Sequence, residues 1–131
     1  MRKEIVVVGS INLDLVASSS HIPRAGETVA GSTFRTFSGG KGANQAVAAA
    51  RLGAAVTILG KLGNDTFGVE LRDSLEQAGV KTGPIRTVAD SSGVALINTD
   101  AAGGVNGLCR LCTTKSGSDC TSTESPVAWK S

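Results

Sequence analysis

Ile5-Val6-Val7-Val8 is a continuous apolar run that ends at Gly9, and Val56-Thr57-Ile58-Leu59 repeats the arrangement with Gly60 behind it. Short apolar runs of β-branched residues read as strands covered on both faces, the condition of a parallel sheet. Two segments of helical character follow them in turn. Gly42 to Leu52 is alanine-rich and stops at Gly53, and its Ala46, Ala48, Ala49 and Ala50 would let it lie close to a sheet. Thr66 to Ala78, capped by Asn64 or Asp65, sets Phe67, Leu71, Leu75 and Ala78 on one face before Gly79. The order strand, helix, strand, helix predicts an α/β fold built on a parallel sheet.

Ser10 to Gly40 interrupts that rhythm with a stretch too long for an ordinary loop. It holds two strand-like runs, Leu13–Ala17 and Thr28–Phe37, separated by Pro23-Arg24-Ala25-Gly26, and a third run, Gly93 to Asn98, comes later. These predict a small separate antiparallel sheet projecting from the body, as a lid over a site, a contact surface for another subunit, or both.

Composition narrows the function classes. The 131 residues allow one ordinary domain, small for an enzyme with two substrate sites. Aromatic residues are only 3%, so the core must be Val, Leu, Ile and Ala. A net charge of +2, with no basic run, gives no footprint for nucleic acid. The apolar run after the positive N-terminus stops at Gly9, too short for a signal-peptide core, and no stretch has membrane-spanning length. The expectation is a soluble cytoplasmic protein without a nucleic-acid or membrane partner, and the absence of cysteine before Cys109 agrees with it.

Two clusters carry polar chemistry. Phe37 to Gly53, FSGGKGANQAVAAARLG, sets three glycines directly before the first helix. Either they form a plain loop, or the loop amides and helix start receive a polar or anionic ligand. The spacing is neither a Walker A loop, since Gly42 follows Lys41, nor the dinucleotide fingerprint, whose last glycine would fall at Gln45. The second cluster, Gly9-Ser10-Ile11-Asn12-Leu13-Asp14, follows the first strand, where open α/β sheets bind ligands. Asn12 and Asp14 can share one side of an extended segment and together suit a vicinal diol, or they can form an Asx-type turn.

Together these motifs resemble the ribokinase (PfkB-type) family of sugar kinases. The resemblance rests on Gly39-Gly40-Lys41-Gly42-Ala43-Asn44-Gln45-Ala46 with Gly53 and Gly63, on Gly9 to Asp14, and on Pro23-Arg24-Ala25-Gly26-Glu27-Thr28. Gly63-Asn64-Asp65-Thr66-Phe67-Gly68 and Ser92-Gly93-Val94-Ala95 add to it. It covers about residues 3–100. It implies a partial ribokinase-like fold and transfer of the ATP γ-phosphate to the 5-hydroxyl of D-ribose or a similar pentose, with magnesium. It further implies a sugar site of Asn12, Asp14, Gly39, Gly40, Lys41 and Asn44 under the lid, and a homodimer made through the lid. Asp14 and Asn12 would fix the ring, Gly39, Gly40 and Asn44 would close on its hydroxyls, and Lys41 would add a donor.

The later Asp-Thr-x-Gly-Ala-Gly-Asp segment of that family, which supplies the catalytic base and anion hole, does not occur in this sequence, nor does its Asn-x-x-Glu segment. No residue here is nominated as catalytic, as nucleotide-binding or as a metal ligand, and the chain by itself is expected to be inactive. Residues 1–107 read as the N-terminal part of a ribokinase-like domain, with lid strands in about 13–37 and 92–107. Residues 108–131 are rich in Ser and Thr and read as an unrelated or disordered tail, as a frameshift or truncation near Ala101 to Leu108 would leave. Cys109, Cys112 and Cys120 have partial metal-ligand spacing, but a closed zinc site needs a fourth ligand and His21 is distant in sequence. His21 and Trp129 read as a loop residue and a tail residue. The alternative function is a non-catalytic module that binds sugar or pairs through its lid.

Overall fold

The computed structural model describes residues 4–110 and 112. In chain order the elements are β1 (Glu4–Val8), β2 (Asn12–Ser19), β3 (Gly31–Gly39), α1 (Lys41–Arg51), β4 (Ala55–Leu59) and β5 (Lys61–Gly63). After these come α2 (Thr66–Gln77), β6 (Val80–Lys81), β7 (Arg86–Val88), β8 (Gly93–Asp100) and β9 (Val105–Arg110).

The body is an α/β unit. Its sheet runs β1-β4-β6, all parallel, with Ile5 opposite Val56 and Val8 opposite Leu59. Val56 and Ile58 of β4 are buried in one cluster with Ala43 and Ala46 of α1, Leu71 and Leu75 of α2, and Val80. Each large aliphatic side chain buried this way contributes roughly 1.5–3 kcal/mol. Both helices end on a glycine with positive φ, Gly53 at 88° and Gly79 at 84°, as expected from their positions. Of the two candidate caps for α2, Asp65 holds the position, accepting from the Gly68 amide at 2.8 Å.

β1 departs from expectation. It is not covered on both faces: Ile5, Val6 and Val8 are exposed, Val8 by 77%. The sequence pattern reports what a strand can tolerate, whereas burial requires neighbours. Among the described residues β1 pairs with β4 on one edge and with nothing on the other.

The projecting sheet runs β3-β2-β8-β9. β2 and β3 form an antiparallel hairpin, as do β8 and β9, but the central pair β2–β8 is parallel, from Asn12 opposite Gly93 to Ser19 opposite Asp100. The lid is therefore mixed, not antiparallel throughout. Both central strands leave the body in the same direction, and residues 20–92 supply the long crossover that parallel pairing needs.

β9 also runs on to Arg110, past the boundary expected at residue 107. Val105 to Arg110 pairs along β8, with Arg110 opposite Val94, and this partner imposes a strand that the segment's own pattern does not announce. Arg110 fastens its end, donating to both Asp90 carboxylate oxygens at 2.9 and 3.1 Å and to Ser91 Oγ at 2.6 Å. The expected tail beyond it, with Cys120 and Trp129, lies outside the described residues. A third sheet, the parallel pair β5-β7, was not foreseen, because three-residue strands carry no readable period.

Candidate functional site at the roots of the lid

The lid joins the body where Gly9-Ser10 leaves β1, where Gly39-Gly40 returns to α1, and where Ser92-Gly93 enters β8. Gly40 is the N-cap of α1 with φ of 100°, and a Cβ there would stand 2.5 Å from the Ser10 carbonyl oxygen. Gly42 lies against Gly9, where an added Cβ would meet the Gly9 carbonyl carbon at 2.7 Å. Glycines before the helix thus serve close backbone approach.

The start of α1 is occupied by its own chain. The Lys41 amide donates to Ser10 Oγ at 3.1 Å and the Ala43 amide donates to the Ser10 carbonyl at 3.1 Å. Ser10 thus takes up two of the helix-start amides. The sequence motif Gly9 to Asp14 does not by itself give Ser10 a role. Its signal was a short hydroxyl residue beside a glycine-lined helix start.

Asn12 opens β2, paired with Gly39 on one side and Gly93 on the other. It is only 7% exposed. Its Nδ2 donates to Asp14 Oδ1 at 3.4 Å, and its Oδ1 has no hydrogen-bond partner among the described residues. Asp14, two residues on, is half-buried, and its carboxylate rests against Gly39: a Cβ on that glycine would be 2.5 Å from Asp14 Oδ2. Burial pushes the Asp14 carboxyl above the ordinary aspartate range, against a smaller downward pull from Asn12.

Asn12, Asp14 and Gly39 are therefore in direct contact, with Gly40 and Lys41 next along the chain. Lys41 and Asn44 expose their side chains on the first turn of α1. Asn44 lines a cleft of about 210 Å³ with Ser38, Gly39, Val47 and Arg51, closed on its far side by Leu71 and Leu75 of α2. A larger cavity, about 550 Å³, opens at the ends of β1 and β4 but includes neither Asn12 nor Asp14. Its lining combines Val8, Ile11, Leu59 and Pro84 with the polar side chains of Ser10, Lys61 and Arg86.

Among the described residues no group of three His, Cys, Asp or Glu side chains is placed to hold a metal ion. Cys109 is exposed on β9, and burial pushes the Cys112 thiol up, away from the thiolate a metal prefers.

Residues 2–111 match the pfkB family carbohydrate kinase model. The chain is 50% identical over 96 residues to the ribokinase of Bacillus subtilis strain 168, covering 72% of this chain and 33% of that protein. It is 45% identical over 98 residues to the ribokinase of Haemophilus influenzae, covering 74% and 32%. The solved structure of Arabidopsis thaliana ribokinase complexed with ribose and ATP superposes with a TM-score of 0.76 at 33% identity, over 84% of this chain and 36% of that one. The chain spans about a third of the length of these relatives.

Proposed function

The chain belongs to the pfkB family of carbohydrate kinases, and on that premise we propose that the roots of its lid form the sugar half of a ribokinase-type site. The substrate class is a pentose, D-ribose foremost, and the reaction it serves is ATP-dependent phosphorylation of the 5-hydroxyl.

One observation carries this reading: a buried Asn12 Oδ1 with no partner among the described residues, beside the half-buried carboxylate of Asp14. A buried polar atom left unpaired costs about 1–3 kcal/mol, which a donating hydroxyl recovers. A carboxylate takes two hydroxyl donors and the amide oxygen a third, the pattern that adjacent ring hydroxyls present. Gly39 and Gly40 bring backbone close to that ring, and Asn44 and Lys41 add side-chain donors. Asp14 holds hydroxyls and is not assigned as a base. The family's base-bearing Asp-Thr-x-Gly-Ala-Gly-Asp segment does not occur in this sequence, so no transfer step is assigned to these residues. The family setting favours the cytoplasm, and among the described residues no helix is long and apolar enough to cross a membrane.

A second observation favours pairing of two copies through the lid, whose surface exposes Phe34, Leu96 and Leu108, the last by 70%.

Titrating D-ribose into the wild-type chain and into Asp14→Ala by calorimetry tests the sugar site. Saturable heat from the wild type that vanishes in the variant supports it. Equal heats from both, or none from the wild type, would sink it.

A further inference from the structure

Ser92, the residue before β8, is 1% exposed and ties the lid to the body through side-chain hydrogen bonds. Its Oγ donates to Asp65 Oδ1 at 2.7 Å and accepts from the Gly63 amide at 2.9 Å, and its own amide donates to Asp65 Oδ2 at 2.8 Å. The same Asp65 carboxylate caps α2 through the Gly68 amide. Space is tight on every side. A Cβ on Gly63 would collide with backbone of Asp90 to Ser92, and one on Gly68 with the Gly63 carbonyl.

The next residue, Gly93, pairs with Asn12, and a Cβ on it would lie 3.3 Å from that of Asn12. The position of Asn12 is thereby referred, through one residue, to the start of α2. We infer that Asp65 and Ser92 are positioning residues: a buried latch that sets the angle of the lid against the body and so places Asn12 for the sugar. This rests on the sugar-site reading for its consequence but not for its mechanics. Neither residue touches the proposed substrate.

Asp65→Asn separates the latch from the helix cap. An asparagine keeps one oxygen for the Gly68 amide and the Ser92 hydroxyl, but turns an NH2 toward the Ser92 amide, where two donors meet. Ser92→Ala removes the hydroxyl and leaves the cap intact. Hydrogen exchange on the full chain reads both without sugar. The latch predicts about tenfold faster exchange at residues 12–15 and 93–96, the fold-change for loss of one charge-assisted hydrogen bond, with α1 and β4 still protected. Unchanged lid exchange in Asp65→Asn, or acceleration spread evenly over α1, β4 and lid, overturns it. Should Ser92→Ala fail to fold, Asp65→Asn decides alone. A parallel D-ribose titration shows the consequence, a Kd raised by about tenfold on the same grounds. If the wild type gives no ribose heat, the sugar-site reading fails while exchange still decides the latch.

Discussion

Asn12 and Asp14 stand two residues apart on β2, joined by an Nδ2 to Oδ1 hydrogen bond of 3.4 Å, while the other Asn12 amide atom is buried and has no partner among the described residues. The pair spends one of its contacts on itself and keeps an acceptor in reserve. For a hydroxylated ligand this is preorganisation, since the acceptor is already stripped of water.

Asn12→Ala should weaken D-ribose binding by roughly tenfold or more, the scale of one buried hydrogen bond to a substrate. Its melting temperature should stay within a few degrees of wild type, because the lost Oδ1 pairs with nothing among the described residues. A large thermal loss with unchanged affinity would show that Asn12 serves the fold.

Asp14 should impose a pH dependence on both stability and binding. Burial raises its folded pKa above the unfolded value, so across the interval between them the folded state holds more protons. Stability therefore falls as pH rises through that interval, and Asp14→Asn should abolish this component and melt higher at neutral pH. Sugar hydroxyls donate to the ionised form, so affinity should instead rise with pH through the folded value. Calorimetry and thermal melts across the acid range, on wild type and Asp14→Asn, check both signs.

Gly39→Ala and Gly42→Ala should fail in different ways. At Gly42 the added methyl meets the Gly9 backbone, which has nowhere to go, so the cost is one of overpacking, roughly 1–3 kcal/mol or more. At Gly39 it meets the Asp14 carboxylate, which can swing aside. Gly42→Ala should lower the melting temperature, and Gly39→Ala should lose ribose affinity with a smaller thermal effect. Equal thermal losses would break this distinction.

Replacing Phe34 and Leu108 by Ser should reduce self-association if the lid face pairs copies of the chain. Light scattering across a concentration series measures it, and an unchanged mass distribution would locate any association elsewhere, with the exposed edge of β1 the next surface to test.

The body was legible in the sequence because its signals are local. Gly53 and Gly79 mark helix ends by backbone conformation alone, and Leu71 and Leu75 fall on one face whatever surrounds them. β1 and β9 depart from their local pattern for the opposite reason, since their state depends on partners. Ile5 and Val6 have the composition of buried residues without the neighbours, and Leu108 to Arg110 has a partner in β8 that its composition does not reveal. Within the site, alternation sets Asn12 and Asp14 on one side of β2, whereas the grouping of Gly39 with them rests on the family resemblance alone. The Ser10 and Ser92 hydroxyls were not assigned roles, because each acts on residues about thirty positions away.

The parallel pairing of β2 with β8 also has a consequence in time. β2 and β3 can close as a hairpin from local contacts, but the inner edge of β2 has no partner until residues 20–92 have been made and folded. Contacts so distant in sequence form slowly, and an unpaired edge is a template for the wrong strand meanwhile. Asn12 acquires its surroundings only when Gly93 arrives beside it, so the ligand pocket is completed after the body that carries it.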